Sequence, residues 1–378
     1  MTNRATAGGG AVASGYRARL DRAAIAAGEA GIDALLITPS EDYRYLLGYR
    51  APAMERLTCL VVPAEGEPVL VLPRLEEPLA RHELGELGDE LAIVPWDETD
   101  DPVQVVRQVV AGTLRVAVQD QMWARFALRL RAALDPAELV AAGPTMSGLR
   151  RIKSREEIDL LRAAAAAADD AMRAILAEPL AGRTEVEVSR RIRELLLHAG
   201  HDEAGFAIVA SGPNSASPHH APGSRTIGAG DAIVVDIGGT RQGYASDTSR
   251  TAFVGDPPAE FADLYQVLRE AQAAACAAVR PGITGAELDA VAREVITDAG
   301  HGGEFVHRTG HGIGLETHEE PYIVASNTEA LVEGNAFSVE PGIYVPDRWG
   351  ARIEDIVVCT ADGGERLNTT STELYVVA

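Results

Sequence analysis

One block of signals occurs twice in the C-terminal part of this 378-residue chain, and that duplication restricts the fold more than any other feature. Gly182-x-Thr184-x-x-Glu187 returns as Gly282-x-Thr284-x-x-Glu287, and His219-x-x-Pro222 returns as His318-x-x-Pro321. Gly230-Asp231-Ala232, with Asp236 and Gly238, returns as Gly334-Asn335-Ala336, with Glu340 and Gly342. Any one match could be chance. Three in the same order, each about a hundred residues on, predict two copies of a helix–helix–hairpin unit related by a pseudo-two-fold axis. Thr184 with Glu187, and Thr284 with Glu287, have the spacing of a capping box that opens a helix.

Each copy also carries acids where acids are costly. Ile233 to Ile237 is a short β-branched apolar run closed by glycines, the pattern of a buried strand, and Asp236 interrupts it. A buried carboxylate must find a cation, a proton or a metal. Asp247 follows on the expected returning strand. In the second copy, Glu340 in Phe337-Ser338-Val339-Glu340-Pro341-Gly342 matches Asp236, and Glu354 in Ala351-Arg352-Ile353-Glu354-Asp355-Ile356 matches Asp247. Pairing the copies would bring four carboxylates together, which requires positive charge between them.

Six of the nine histidines lie between His219 and His318, three of them in the Gly-rich stretch His307 to His318. The repeat and the neighbouring Gly and Pro residues mark His219, His307, His311 and His318 as functional candidates. The glycines around His311 are expected to let the backbone approach a ligand. His82, His198, His201 and His301 are read as ordinary structural residues. Carboxylates with one imidazole suit two divalent ions, with Mn²⁺ first and Co²⁺ or Zn²⁺ as other options. Two such ions sharing a hydroxide, with a carboxylate base beside them, are machinery for hydrolysing an amide.

The length exceeds what one core usually serves, so two domains are expected. The first 15 residues read as a flexible tail. Residues 16–150 alternate strands with helices and predict an α/β domain: a helix from Tyr16 to Gly31, strands near Asp33–Pro39, Ala92–Pro95 and Arg115–Val118, and a hairpin around Glu65-Gly66-Glu67. Residues 151–378 form the second domain, which starts with a capping box at Ser154 and Glu157. A formal net charge of −22 argues against nucleic acid or an anionic membrane surface as partner. There is no signal-peptide core and no long apolar run, and Cys59, Cys276 and Cys359 show no CxxC pairing, so reduced thiols in a cytoplasmic protein are expected.

Five stretches together resemble the metallopeptidase family of methionine aminopeptidase, prolidase and Xaa-Pro aminopeptidase. They are Ser211 to His219, Asp247-Thr248-Ser249-Arg250-Thr251, His311 to Pro321, Glu340-Pro341-Gly342-Ile343-Tyr344 and Arg352-Ile353-Glu354-Asp355. The resemblance covers residues 151–378, and more weakly the first 150 resemble the N-terminal domain of creatinase and prolidase. It implies an α+β pita-bread catalytic domain behind an α/β creatinase/prolidase-like domain. It also implies that Asp236 chelates one metal, that His311 and Glu340 hold the other, and that Asp247 and Glu354 bridge both. Glu340 would be the base, His219 a proton donor at the scissile amide, and His318 the holder of the carbonyl or oxyanion. His307 and Arg352 would position substrate. Ser217 and Ser249 depart from the usual motif wording and are expected to touch no ligand residue.

The expected activity is that of an Xaa-Pro dipeptidase acting on small peptides with proline second, as a homodimer. The alternatives are an Xaa-Pro aminopeptidase on longer peptides, a hydrolase of another small amide, and a non-catalytic binding protein.

Overall fold

Short apolar runs separated by amphipathic helices build the first of two units into which the chain divides, between Arg150 and Arg151. The structure is a computed structural model that describes residues 9–378. In the first unit, strands β1 (Ala34–Ile37), β2 (Cys59–Pro63), β3 (Val69–Pro73), β4 (Ala92–Trp96), β5 (Arg115–Val118) and β6 (Glu138–Ala141) form one mixed sheet in the order β4-β3-β2-β1-β5-β6. β1, β2 and β3 pair antiparallel, while β4, β5 and β6 join in parallel. Val103, Val106, Phe126 and Leu130 from the helices Pro102–Val109 and Ala124–Leu134 pack on Ala34, Leu36, Val61 and Val71 to make its core.

The first helix runs Gly9–Glu29, not from Tyr16, so part of the stretch expected to be tail is helical. The remainder of that expected tail lies outside the described residues. The helices Glu41–Leu47, Glu77–Leu84, Glu86–Glu90 and Gly143–Arg150 were not anticipated, being too short to show helical periodicity.

The second unit contains the duplication. Ser154, Thr184 and Thr284 each accept from the N3 amide, and Glu157, Glu187 and Glu287 return to the cap amide, so all three capping boxes form. The first copy pairs helices Arg155–Leu176 and Glu185–His198 with the sheet β17-β9-β8-β7, built from β7 (Glu203–Ser211), β8 (Ala232–Arg241), β9 (Tyr244–Val254) and β17 (Tyr375–Val377). The second pairs helices Ala259–Ala278 and Gly285–Asp298 with the sheet β11-β10-β12-β15-β16. Its strands are β10 (Gly310–Gly312), β11 (Glu319–Ile323), β12 (Ala336–Val339), β15 (Asp355–Thr360) and β16 (Gly363–Arg366). The ribbon β13 (Gly342–Val345) with β14 (Trp349–Arg352) stands between β12 and β15 in sequence.

The repeat reaches down to single backbone bonds. Gly182 N donates to Ile227 O and Gly282 N to Leu331 O, each at 2.9 Å, and Val186 N to Gly223 O is matched by Ala286 N to Asn327 O. Each copy has its own apolar core. Met172, Ile175, Val188, Ile192, Val235 and Ile237 are central to one, and Leu268, Ala271, Leu288, Ala292, Phe337 and Val357 to the other.

The copies meet where Glu354 N donates to Ser249 O at 3.1 Å. Beside that bridge lies Arg250, fully buried, paired with Asp355 at 2.6 Å and also bonded to the carbonyls of Ser249, Glu354, Thr370 and Ser371. Asp355 accepts from Gln272 as well, so this buried ion pair is satisfied on both sides. It holds the strand carrying Asp247 against the segment carrying Glu354.

Candidate metal and substrate site

The pleat of β8 sorts its side chains. Ile233, Val235 and Ile237 enter the core, which leaves Asp236 on the opposite face. In the antiparallel register Asp236 lies across from Ser249, and Gly238 across from Asp247. Directly paired residues share a face, so both acids project from the same side of the hairpin. Opposite Asp247 there is only a hydrogen, at Gly238.

The second copy meets them from β10, β12 and β14. Gly310 and Gly312 flank His311, and a Cβ at Gly310 would strike the Ser338 carbonyl, while one at Gly312 would strike the Glu320 backbone. These glycines therefore allow close approach of neighbouring strands, rather than the expected approach of a ligand. His311 Nδ1 lies 3.1 Å from the Gly312 carbonyl, which assigns the ring proton to Nδ1 and leaves Nε2 as the acceptor. That Nε2 lies 3.2 Å from Glu340 Oε1 and 3.6 Å from Asp247 Oδ2. Ser338 Oγ takes the His311 amide proton and donates to Glu340 Oε1 at 3.1 Å.

Asp247, His311 and Glu354 each offer a ligand atom within 4.8 Å of the others. Two carboxylate oxygens in the cluster, Asp236 Oδ1 and Glu354 Oε1, are buried without a hydrogen-bond partner. Burial first, then the neighbouring carboxylates, pushes Asp247 and Glu354 well above the usual carboxylate range. Glu340 rises to about 7, from burial above all, and Arg352 opposes the rise. Burial also lowers His311 to about 3, which keeps its ring neutral. Crowded acids, orphaned oxygens and a neutral imidazole are a donor set that fits hard or borderline divalent cations.

Ser249 touches this cluster, contrary to expectation. Its hydroxyl donates to Glu354 Oε2 at 2.8 Å and accepts from Arg352 Nε at 3.0 Å. Arg352 is buried, with Nη2 2.7 Å from Asp236 Oδ2 and Nη1 2.9 Å from the Tyr344 hydroxyl. Tyr344 passes its own proton to His307 Nε2 at 2.9 Å, and His307 Nδ1–H donates to the Arg308 carbonyl at 2.7 Å. Every proton in that chain is placed when His307 is neutral, and burial lowers His307 to about 4. The His318 ring centroid is 4.0 Å from that of His311.

Asp236, Asp247, Glu340, Glu354, His219, His307, His311, His318 and Arg352 all line one cavity of about 320 Å³, at the small end of the range for small-molecule sites. Phe206, Ile208, Pro218 and Arg308 complete its wall and are not among the site residues expected from the sequence. His219 lines this cavity, whereas the adjacent His220 turns to Glu185 at 2.8 Å. Glu185, fully buried, also accepts from Ser211, Asn214 and the Gly223 amide, and so pins the loop that carries His219. His198 and His301 bond locally, to Glu194 O and Glu304, while buried His201 bonds to Leu196 O and Ser246 Oγ.

Known proteins share this arrangement of the chain. Metallopeptidase family M24 matches residues 159–361, and the creatinase/prolidase N-terminal domain matches residues 19–152. A protein described as probable dipeptidase PepE from Mycobacterium tuberculosis is 48% identical over 365 residues, spanning 96% of either chain. The Xaa-Pro dipeptidase of Pyrococcus furiosus is 34% identical over 82% of this chain and 86% of its own. The crystal structure of dipeptidase PepE from Mycobacterium ulcerans superposes with a TM-score of 0.92 at 47% identity, covering 97% of this chain and 98% of that one.

Proposed function

The chain belongs to metallopeptidase family M24, and from that premise we propose that it is a two-metal Xaa-Pro dipeptidase, which cleaves the bond before proline in small peptides. The observation that carries the reading is the set of orphaned oxygens, Asp236 Oδ1 and Glu354 Oε1, buried within reach of the acids and the imidazole of one cavity. Asp236, Asp247, His311, Glu340 and Glu354 would hold two divalent ions, with manganese suited to so oxygen-rich a set. Bound there, the ions would supply an activated water and polarise the scissile carbonyl.

The remaining groups divide the work of binding and proton transfer. Glu340, with one oxygen held by Ser338, accepts the proton of the attacking water. His219, at the exposed side of the cavity, gives a proton to the departing proline nitrogen. His318 holds the carbonyl oxygen as it gains charge. Arg352 and His307 form a fixed wall that orients the substrate, because Tyr344 links them and each hydrogen bond in that row has one possible direction. Phe206, Ile208 and Pro218 offer an apolar surface to a proline ring.

A homodimer in the cytoplasm completes the proposal, on the strength of the family resemblance. Among the described residues no helix is long and apolar enough to cross a membrane. The reading is tested by hydrolysis of Ala-Pro against Ala-Pro-Ala with added Mn²⁺. Preferential cleavage of Ala-Pro supports a dipeptidase, and preference for the tripeptide overturns it in favour of an aminopeptidase.

A further inference from the structure

Two arginines line the cavity, and they differ in what they are bonded to. Arg352 is fully committed, to Asp236, Tyr344, Ser249 and the Pro218 carbonyl. Arg308 shows no hydrogen bond or ion pair from its guanidinium among the described residues. The guanidinium lies 4.4 Å from the centroid of the Tyr322 ring. Stacking of that kind supports one face of the planar group and leaves its N–H edges available. Arg308 is only half-buried, yet it belongs to the cavity wall together with Phe206, Ile208 and Pro218.

The backbone beneath Arg308 is held on both sides. Its carbonyl accepts from His307 Nδ1, Arg293 Nη2 donates to the His307 carbonyl at 2.8 Å, and the Thr309 amide donates to Asp289 Oδ1 at 3.0 Å. A guanidinium on so fixed a base, with an aromatic ring behind it and no carboxylate paired with it among the described residues, is arranged to receive an anion from the cavity.

A dipeptide carries such an anion. Its free α-carboxylate sits on the carbon next to the scissile nitrogen, so it must enter the cavity with the bond to be cut. Two divalent ions would only balance the four carboxylates the cavity already holds, so a fifth needs a cation of its own. In an extended peptide the same position is a neutral amide. We propose that Arg308 binds the free α-carboxylate of the substrate and thereby selects dipeptides over longer or C-terminally blocked peptides. This rests on the dipeptidase reading above and names the residue that would enforce it.

The test compares kcat/KM for Ala-Pro and for Ala-Pro-amide, with saturating Mn²⁺, in the wild type, Arg308→Gln and Arg308→Lys. One charge-assisted pair predicts that the acid-to-amide ratio falls about 10- to 100-fold in Arg308→Gln, mainly through KM for the acid. Arg308→Lys, which keeps the charge but not the fork, should fall between. Thermal melts of the metal-free proteins verify folding, and the ratio within each variant cancels any general loss of activity. A ratio unchanged in folded Arg308→Gln, or a wild type that cleaves acid and amide equally well, overturns this assignment and leaves the peptidase reading intact. A wild type that cleaves neither compound overturns the dipeptidase reading and this assignment with it.

Discussion

Arg352 Nη2 lies 2.7 Å from Asp236 Oδ2, while the other oxygen of the same carboxylate, Oδ1, is buried and without a partner. One carboxylate thus faces a permanent cation on one side and an unfilled position on the other. That division explains how Asp236 can sit inside an apolar strand before any metal arrives. Replacing Arg352 with Met should leave Asp236 without its cation, at a cost of about 3–5 kcal/mol in the metal-free protein. Added Mn²⁺ should recover part of this, since it supplies the missing charge. Urea unfolding with and without Mn²⁺ measures both effects. Equal stability of the metal-free variant and wild type would contradict the account.

Ser249 joins the two copies chemically, because its one hydroxyl contacts Glu354 from the second and Arg352 beside it. Residues that orient metal ligands commonly change affinity or activity 10- to 100-fold when lost. Ser249→Ala should therefore weaken Mn²⁺ binding by about 10-fold or more, with little loss of thermal stability in the metal-free state. Calorimetric titration with Mn²⁺ provides the check, and unaltered affinity would assign Ser249 to the fold alone.

His307 gives the metal-free protein a specific pH dependence. Burial takes it from an ordinary value of 6.5 to about 4 in the fold. Between those values the unfolded chain binds a proton that the folded chain refuses. The stability from this group is complete above pH 6.5 and is lost as the pH falls toward 4, at up to about 1.4 kcal/mol per pH unit. His307→Gln should show a shallower decline over that window than the wild type, both measured in chelator by urea unfolding. Parallel declines would show that His307 does not carry this proton uptake.

Much of this architecture can be read from the sequence because its cues are local or repeated. The capping boxes at Ser154, Thr184 and Thr284 each need only four residues, and the duplication pairs Asp236 with Glu340 before any fold is known. The single side chains that complete the site are harder to see. The row Arg352–Tyr344–His307 is made by a β-ribbon meeting a loop, and nothing in their spacing announces it. Ser249 looked neutral because its contact with Glu354 crosses between the copies. Arg250 appeared as one letter of a motif, yet it carries the buried pair with Asp355. The helix Glu41–Leu47 did have a signal, with Ser40 capping the Tyr43 amide and Gly48 ending it at φ 69°, but about two turns give periodicity little to work with.

The central claim is that the acids and His311 hold two catalytic ions. It is tested most directly by stripping the protein with chelator and titrating Mn²⁺ back, following bound ions per chain and Ala-Pro hydrolysis together. The account predicts no hydrolysis in the stripped protein, two ions bound per chain at saturation, and neither full occupancy nor activity in Asp247→Asn. Full hydrolysis of Ala-Pro by the stripped protein would contradict it.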